Sequence, residues 1–347
     1  MNTRFGYLLG ATIAVAQLAA SAAARAQPAA CSSGSSGNGA RIDEASYVQL
    51  GGLDQFVTIR GDDRSNPVLL HIHGGPGISF SAFAAEFAPY EADFTVVQWD
   101  QRGSGCTFGR HGEATPDVTL DRLASDGVEL AENLRSRFGD RKIIVLGHSF
   151  GSIVAVEMIR RAPEYFALYV GTGQFASFAG GIDAQIARLR KSGAGDPDLT
   201  AQLDALAALE PNLQKFGGVN RLSQSRAPAV DVAFMQGLQS HAAEVMAPKE
   251  LADWQAGRQA FTARLLQQIA NVDLPATTRR FEVPFVVIQG SDDWNTPVAA
   301  ARAYLEQVEA PSKGLVVVDG AGHFAHLTHT PRFLSALGEH AGRIFPP

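Results

Sequence analysis

Five short apolar runs along the chain predict the buried strands of a parallel sheet. They span residues 67–72, 94–99, 142–146, 285–289 and 314–318. Continuous apolar runs of this length are typical of strands that are covered on both faces, whereas strict alternation indicates a strand with one exposed face. Each run is followed by glycine and by polar or charged residues. The pattern therefore predicts an α/β fold with a mostly parallel sheet flanked by helices.

A long segment between the third and fourth of these runs has a different pattern, in which apolar residues recur at helical spacing. It predicts helices over residues 182–189, 198–209, 230–246 and 249–269. Helix-breaking residues separate them at 193–195, Pro211, Gly217-Gly218 and Pro248. The segment therefore predicts an all-helical insertion in the α/β fold.

The amino-terminal residues are unlike the rest of the chain. Arg4 precedes an apolar stretch over residues 5–20, and Ala24-Arg25-Ala26 fits a signal-peptidase site. This pattern predicts a signal peptide over residues 1–26 and a mature protein in the periplasm or outside the cell. A membrane anchor is the alternative, although the stretch is short for a bilayer span and contains Gln17.

Residues 27–40 are polar and rich in glycine and serine, which predicts a flexible linker. The chain has only two cysteines, Cys31 in this linker and Cys106 after a predicted loop. In an oxidising compartment the two thiols could form a disulfide, and two free thiols are the alternative. The disulfide would tether the linker to the core.

Composition and charge narrow the function further. With 347 residues, 46% of them hydrophobic and 18% charged, the chain can bury one large core, or a core and a subdomain. The net charge is −6. Residues 1–26 hold two arginines and no acid, so their removal changes the net charge from −6 to −8. An acidic chain without a basic patch argues against nucleic acid as a partner, and signal cleavage would leave no membrane segment.

The sequence contains no H-E-x-x-H, paired C-x-x-C, P-loop or G-x-G-x-x-G motif. His71 and His73 have a spacing that could suggest a metal, but no Asp-His follows and the loop turns to Gly-Gly-Pro. We therefore expect neither a metal ion nor an organic cofactor.

The sequence GHSFG over residues 147–151 is the strongest indication of chemistry in the chain. It lies between the apolar run 142–146 and a predicted helix over 152–159. In a G-x-S-x-G elbow the sharp turn lifts the serine hydroxyl to the top of the sheet, at a helix N-terminus. This context predicts Ser149 as a nucleophile, and a glycine turn with an incidental serine is the structural alternative.

Two further loops belong to the same pattern. The sequence HGGPG at residues 73–77 follows one predicted strand, and DQRGSG at residues 100–105 follows the next. Together with the serine elbow, these motifs resemble the prolyl aminopeptidase (proline iminopeptidase) branch of the α/β-hydrolase superfamily. The resemblance covers about residues 45–175 and 280–345.

The resemblance implies a specific domain organisation. A first core part over residues 41–174 and a second over 281–347 would form the hydrolase sheet. The helical segment over 175–280 would be a cap inserted after the sixth strand. Such a cap covers the nucleophile, excludes water and shapes the substrate pocket.

The resemblance also implies the partners of the nucleophile, in the order Ser, Asp or Glu, His. The family pattern G-x-x-D-x-x-x-P, beginning at residue 290, assigns the acid to Asp293, and Asp292 is the competitor if the turn is one residue tighter. His323 follows the run 314–318 in a glycine loop and is the predicted base, with His326 and His329 as alternatives further along.

In α/β hydrolases the oxyanion is bound by one N–H of the glycine-rich loop and by the N–H after the nucleophile. In this chain those donors would be Gly75 and Phe150. A serine at the elbow argues against an epoxide hydrolase or a haloalkane dehalogenase, which place Asp there. The implied mechanism is acyl transfer through a covalent serine ester.

The substrate implied by the resemblance is a small peptide with an N-terminal proline or small residue. Prolyl aminopeptidases bind the free amino terminus with cap glutamates, commonly in Trp-Glu and Glu-Asn-His-Tyr-Phe contexts, and neither context occurs here. Glu210 and Glu244 are the candidate substrate-binding residues. A carboxylesterase for small acyl esters is the closest alternative, and a ligand receptor on a hydrolase scaffold is the alternative from a different class.

Overall fold

The computed structural model describes residues 30–345, so the predicted signal peptide over 1–26 lies outside the described residues. Nine strands form one sheet in the order β1-β2-β3-β5-β4-β6-β7-β8-β9. The strands are β1 (Gly34–Ser35), β2 (Ile42–Leu50), β3 (Leu53–Gly61), β4 (Val68–Ile72), β5 (Thr95–Trp99), β6 (Ile143–His148), β7 (Phe166–Thr172), β8 (Phe285–Gly290) and β9 (Lys313–Val318). The three pairings that involve β1, β2 and β3 are antiparallel, and the pairings from β5 to β9 are parallel. The predicted α/β fold with a mostly parallel sheet is confirmed.

Helices cover both faces of this sheet. They are α1 (Gly105–His111), α2 (Leu120–Arg137), α3 (Phe150–Arg161), α4 (Phe178–Ser192), α5 (Pro197–Ala207), α6 (Leu213–Gln224), α7 (Ala229–Val245), α8 (Pro248–Ile269), α9 (Leu274–Thr277), α10 (Val298–Gln307), α11 (Ala325–Thr328) and α12 (Thr330–Gly342). Short 3₁₀ segments add Ser81–Tyr90, Gly112–Ala114 and Pro163–Tyr165. Within residues 30–345, we find no helix with the length and apolar character that a bilayer crossing requires.

Alternate residues of the central strands enter two separate cores. Leu70 on β4 and Val145 on β6 belong to the core that contains α2, α3 and α10. Their chain neighbours Leu69 and Ile144 belong to the core on the other face, with α12 and the 3₁₀ segment Ser81–Tyr90. Side chains alternate between the two faces of a strand, so a strand covered on both faces must be apolar throughout. This explains the continuous apolar runs in the sequence.

The helices from α4 to α9 lie between β7 and β8 in the chain and occupy the segment predicted as a cap. The insertion follows the seventh strand instead of the sixth, because the sheet begins with an additional two-residue strand, β1. The predicted break at Gly217-Gly218 is wrong, since α6 runs through both residues. Glycine inside a helix costs only about 1 kcal/mol, and the packing of Phe216 on Phe178 and the burial of Val219 oppose that cost.

The residues before β2 are held in place, which corrects the prediction of a flexible linker for the described part of 27–40. β1 pairs with β2, and the Ser36 N–H donates to the Asp43 carbonyl at 2.9 Å. Cys31 and Cys106 form a disulfide with their Cα atoms 5.3 Å apart. The Glu250 carboxylate of α8 also accepts hydrogen bonds from the backbone at residues 30 and 31. Backbone pairing and a covalent link order this segment without requiring apolar side chains.

Candidate active site

The turn between β6 and α3 puts Ser149 into a strained backbone conformation. Its φ is 53° and its ψ is −123°, a region that non-glycine residues rarely adopt. Such a conformation costs about 1–3 kcal/mol and is held by the surrounding fold. The second glycine of the motif, Gly151, is needed because a Cβ at that position would overlap the Ile72 carbonyl. The absence of a side chain at Gly151 therefore lets α3 approach β4 closely, as the sharp turn at Ser149 requires.

Two backbone amides lie beside this serine without a hydrogen-bond acceptor. Phe150 is the first residue of α3, and the first N–H groups of a helix have no partner inside it. The Gly75 N–H belongs to the loop after β4, and neither amide donates to another group in the part of the chain that the structure describes. This loop contacts the elbow, since a Cβ at Gly74 would lie 2.9 Å from the Ser149 Cβ. The predicted oxyanion donors are thus both near Ser149.

Asp293 and His323 form the second part of the site. The His323 Nδ1 lies 2.9 Å from the Asp293 Oδ2, a geometry in which Nδ1–H donates to the carboxylate. Asp293 is buried, and its Oδ1 accepts the backbone N–H groups of Asn295 and Thr296 at 2.9 and 2.8 Å. The competitor Asp292 has a side chain that is 48% exposed and pairs with Arg188. The structure therefore joins Asp293, and not Asp292, to His323.

Ser149 and His323 line the same cavity. The Ser149 hydroxyl makes no hydrogen bond with any of the residues between 30 and 345. Catalytic hydrogen bonds in ligand-free enzymes are often long and tighten when the substrate binds. Burial lowers the pKa of His323, but the charge of Asp293, its hydrogen bond and the charge of Asp231 outweigh that effect, so this pKa is raised overall.

Asp231 is a residue of this site that the sequence analysis missed. It lies on α7 of the cap, and its Oδ2 accepts the backbone N–H of His323 at 2.5 Å. Its Oδ1 is buried and has no hydrogen-bond partner among the described residues. Burial raises its pKa, and the hydrogen bond from the His323 backbone opposes that rise. The signal in the sequence was a single acid between Val230 and Val232 at the start of a predicted helix.

The structure places the predicted substrate-binding residues Glu210 and Glu244 away from Ser149 and His323, outside the cavity lining. Both are exposed, and neither lines the cavity. The cavity side of α7 is instead formed by residues spaced four apart, namely Asp231, Met235 and Gln239. Five residues further along a helix the direction has turned by about 140°. Glu244 therefore points away from the cavity, with a side chain that is 74% exposed.

The cavity lies between the cap and the core and has a volume of about 420 Å³. The core contributes Gly74, Gly75, Ile78, Phe80, His148, Ser149, Asn295, His323 and Phe324. The cap side contributes Gln224, Ala227, Asp231, Val232, Met235, Gln236, Gln239 and Arg258. A volume of this size is typical of small-molecule sites, which measure roughly 300–1,000 Å³.

The loop after β5 supports the loop after β4. The Asp100 Oδ2 accepts the Cys106 N–H at 2.7 Å, and burial raises the pKa of Asp100 to about 6. The Gln101 Nε2 donates to the His73 carbonyl at 3.1 Å. Arg102 forms a buried ion pair with Asp126 at 2.7 Å. The DQRG sequence thus positions the HGGPG loop, and none of its four residues lines the cavity.

A cluster of neutral histidines lies behind His323. The His148 Nε2 is 3.1 Å from the His323 carbonyl, and the His148 ring packs on His326 with centroids 4.5 Å apart. Burial lowers the pKa of His71 to about 4 and that of His73 to about 3. Within residues 30–345, no three His, Cys, Asp or Glu side chains are grouped as metal ligands. His326, one of the two alternatives to His323 as the catalytic base, thus lies in this buried cluster.

Comparisons with known proteins agree with this geometry. The family model described as alpha/beta hydrolase fold matches residues 67–330. A probable aminopeptidase from Bacillus subtilis, YbaC, is 24% identical over 310 residues, which cover 85% of this chain and 95% of that protein. A probable proline iminopeptidase from Streptomyces coelicolor is 27% identical over 300 residues, which cover 81% of this chain and 90% of that protein.

A solved structure extends the likeness to three dimensions. It is that of a proline iminopeptidase-related protein from Thermus thermophilus, with a TM-score of 0.60 and 23% identity. The match covers 88% of this chain and 99% of that one. At this identity the likeness concerns the fold alone. The family match shows that the chain belongs to the α/β-hydrolase family, and the relatives from Bacillus subtilis and Streptomyces coelicolor make it similar to the prolyl aminopeptidase-like branch.

Proposed function

We propose that the protein is a serine aminopeptidase that releases an N-terminal proline or small residue from short peptides. The observation that carries this proposal is Asp231, a buried carboxylate of the cap that lines the catalytic cavity and whose Oδ1 has no hydrogen-bond partner among the described residues. A buried carboxylate with an unsatisfied oxygen is costly, and a substrate ammonium group would supply the missing partner. The names of the relatives from Bacillus subtilis and Streptomyces coelicolor support the same reaction.

The catalytic roles follow from the positions of the groups. Ser149 attacks the carbonyl carbon of the first peptide bond while His323 takes the hydroxyl proton. Asp293 holds the imidazole in the correct tautomer and stabilises the imidazolium, as its contact with Nδ1 allows. The amides of Gly75 and Phe150 bind the oxyanion, and one such donor is worth roughly 3 kcal/mol in the transition state.

The second half of the reaction uses the same groups in reverse. His323 gives its proton to the leaving amine, which departs with the rest of the peptide. Water then attacks the Ser149 ester with His323 as the base, and the released acid carries the first residue of the substrate. Throughout, the ammonium group of that residue would remain paired with Asp231.

The test compares substrates with free and blocked amino groups. We expect acetylation of prolyl p-nitroanilide to lower kcat/KM by at least roughly tenfold, equivalent to ~1.4 kcal/mol. Asp231→Asn should reduce the ratio of kcat/KM for the free anilide to kcat/KM for the acetylated anilide. Glu244→Gln, which removes an exposed carboxylate of the same helix, should preserve that ratio. Equal rates on the free and blocked anilides, with faster turnover of short p-nitrophenyl esters, would identify a carboxylesterase. Binding without turnover of any of these substrates would identify a receptor.

We also propose that the protein acts in the periplasm or outside the cell. Arg4, the apolar stretch 5–20 and Ala24-Arg25-Ala26 support export, and the Cys31–Cys106 disulfide suits an oxidising compartment. N-terminal sequencing of the mature protein should find Gln27 as the first residue. An intact Met1, or a mass that corresponds to two free thiols after export, would contradict this proposal.

A further inference from the structure

Arg258 is a cation in the cavity without a partner among the described residues. It lies on α8, is half-buried, and is the only Lys or Arg among the cavity-lining residues that the structure describes. Its guanidinium makes no hydrogen bond or ion pair with any residue between 30 and 345, whereas the neighbouring Arg264 of the same helix donates to the Thr115 carbonyl. A guanidinium with unused donors in a cavity favours an anionic ligand, above all a carboxylate.

The backbone of Arg258 is held against the loop that carries the predicted oxyanion donor. A Cβ at Gly77 would lie 3.2 Å from the Arg258 Cα, so the helix touches the loop at this point. The Thr262 hydroxyl donates to the Pro76 carbonyl at 3.2 Å, and Phe261 packs edge-on against Phe150 with centroids 5.8 Å apart. These contacts hold the backbone of Arg258 beside the HGGPG loop, which also lines the cavity through Gly74 and Gly75.

Asp231 also lines the cavity, and its carboxylate accepts the backbone N–H of His323. It is the only Asp or Glu among the lining residues, as Arg258 is the only Lys or Arg. No ion pair within 4.0 Å joins the two in the described chain, although both line one cavity. The site thus holds one unpaired charge of each sign, with Ser149 in the same lining. This arrangement complements a ligand with separated positive and negative ends.

We propose that Arg258 binds the C-terminal carboxylate of the substrate, so that the preferred substrates are dipeptides or tripeptides with both termini free. This inference rests on the proposed aminopeptidase function, in which Asp231 binds the ammonium group. A chain of two or three residues spans at most roughly 7–11 Å, which suits a cavity of about 420 Å³. A longer peptide would place an uncharged amide beside Arg258 and lose this interaction.

The experiment measures kcat/KM for prolylglycine, prolylglycinamide and prolylglutamic acid α-amide, whose side-chain carboxylate is free, by the release of proline. We expect the free acid to exceed the glycinamide by roughly tenfold or more, the worth of one charge-assisted hydrogen bond. Arg258→Gln should bring this ratio close to one, and Arg258→Lys should keep part of it. Arg221→Gln is the matched control, because Arg221 is exposed on α6 and outside the cavity.

Each outcome separates this inference from the proposed function. If both glycine peptides and prolyl p-nitroanilide are hydrolysed without a preference for the free acid, the Arg258 inference is wrong and the aminopeptidase stands. If the glutamic acid α-amide alone is preferred, Arg258 recognises an acidic side chain, which also overturns the inference. If only esters are hydrolysed, the proposed function fails and the inference fails with it. Thermal unfolding of each variant checks that the fold is retained.

Discussion

The carboxylate of Asp231 and the backbone N–H of His323 are joined by a hydrogen bond of 2.5 Å. This bond connects the cap to the loop that carries the predicted catalytic base, and it adds a second carboxylate to the surroundings of the imidazole. The position of α7 therefore affects both the geometry and the charge of His323.

The pH dependence of hydrolysis should report the raised pKa of His323. Only the neutral imidazole can take the Ser149 proton, so kcat/KM should fall as the pH decreases through a pKa above the ordinary value of about 6.5. In Asp231→Asn this acidic limb should move to lower pH, because one carboxylate that stabilises the imidazolium is neutralised. Profiles with a short acyl ester, which has no ammonium group, isolate the effect on His323.

The control for that profile is Glu244→Gln, which removes a carboxylate of α7 outside the cavity. Its acidic limb should coincide with that of the unmodified protein. An unchanged limb in Asp231→Asn would mean that Asp231 does not act on the imidazole.

Replacement of the nucleophile should abolish turnover while the fold is kept. We expect Ser149→Ala to lower kcat by at least about 10⁴-fold and to prevent labelling by a fluorophosphonate probe. The kcat of His323→Ala should fall by a comparable factor, because the members of a triad act as a unit. Circular dichroism and thermal unfolding serve as the fold controls. Normal labelling of Ser149→Ala would contradict the assignment of the elbow.

The two adjacent aspartates provide an internally matched pair. Asp293→Asn should lower kcat by about 10⁴-fold, because the amide can stabilise the wrong tautomer of His323. Asp292→Asn should have a small effect, since that side chain is half exposed and forms an ion pair with Arg188 at 3.1 Å. Steady-state kinetics of both variants decide which of the two aspartates is the acid of the triad. A larger loss in Asp292→Asn would mean that the acid lies one residue earlier.

Burial of neutral His71 should make stability depend on pH in a specific direction. Its pKa is lowered from about 6.5 in the unfolded chain to about 4 in the folded protein. Its contribution is therefore fully present above pH 6.5 and is lost as the pH falls, by about 1.4 kcal/mol per pH unit down to about 4. Urea unfolding of the unmodified protein and of His71→Gln between pH 7 and 5 measures this difference.

The comparison with His71→Gln isolates this residue because other groups act in the opposite sense. The pKa values of Asp100 and His323 are raised in the folded protein, so their contributions grow as the pH decreases. Those contributions are common to both proteins and cancel in the difference. A difference in the free energy of unfolding that does not change with pH would show that His71 is not buried as a neutral group.

The parallel core was predictable because its strands are covered on both faces. A strand such as β6 must then be apolar at every position, and the run ends where the chain turns into the elbow. The motifs that follow β4, β5 and β6 were also visible, because glycine and polar residues are needed where loops approach closely. The contacts of Asp293 and His323 agree with their predicted positions after β8 and β9.

The cap was predictable as helices but not as a binding surface. Asp231 and Glu244 are both acids on one helix, and only the packing of α7 on the core decides which of them enters the cavity. The same holds for Arg258, since its contact with the loop at Gly77 depends on how α8 crosses the core. The ordered segment before β2 was missed because its structure depends on backbone pairing with β2, which its polar side chains do not indicate, whereas its tether to Cys106 was one of the two alternatives for the thiols.

The bond between Asp231 and His323 constrains a third position, Gly322. A Cβ at Gly322 would overlap the Asp231 carboxylate, so the loop can carry no side chain there while the cap acid stays where it is. In related chains the two positions should therefore vary together, with a side chain at 322 only where residue 231 is smaller or the helix has shifted. The glycine before the histidine would then identify, from sequence alone, the relatives in which a cap carboxylate reaches the histidine loop.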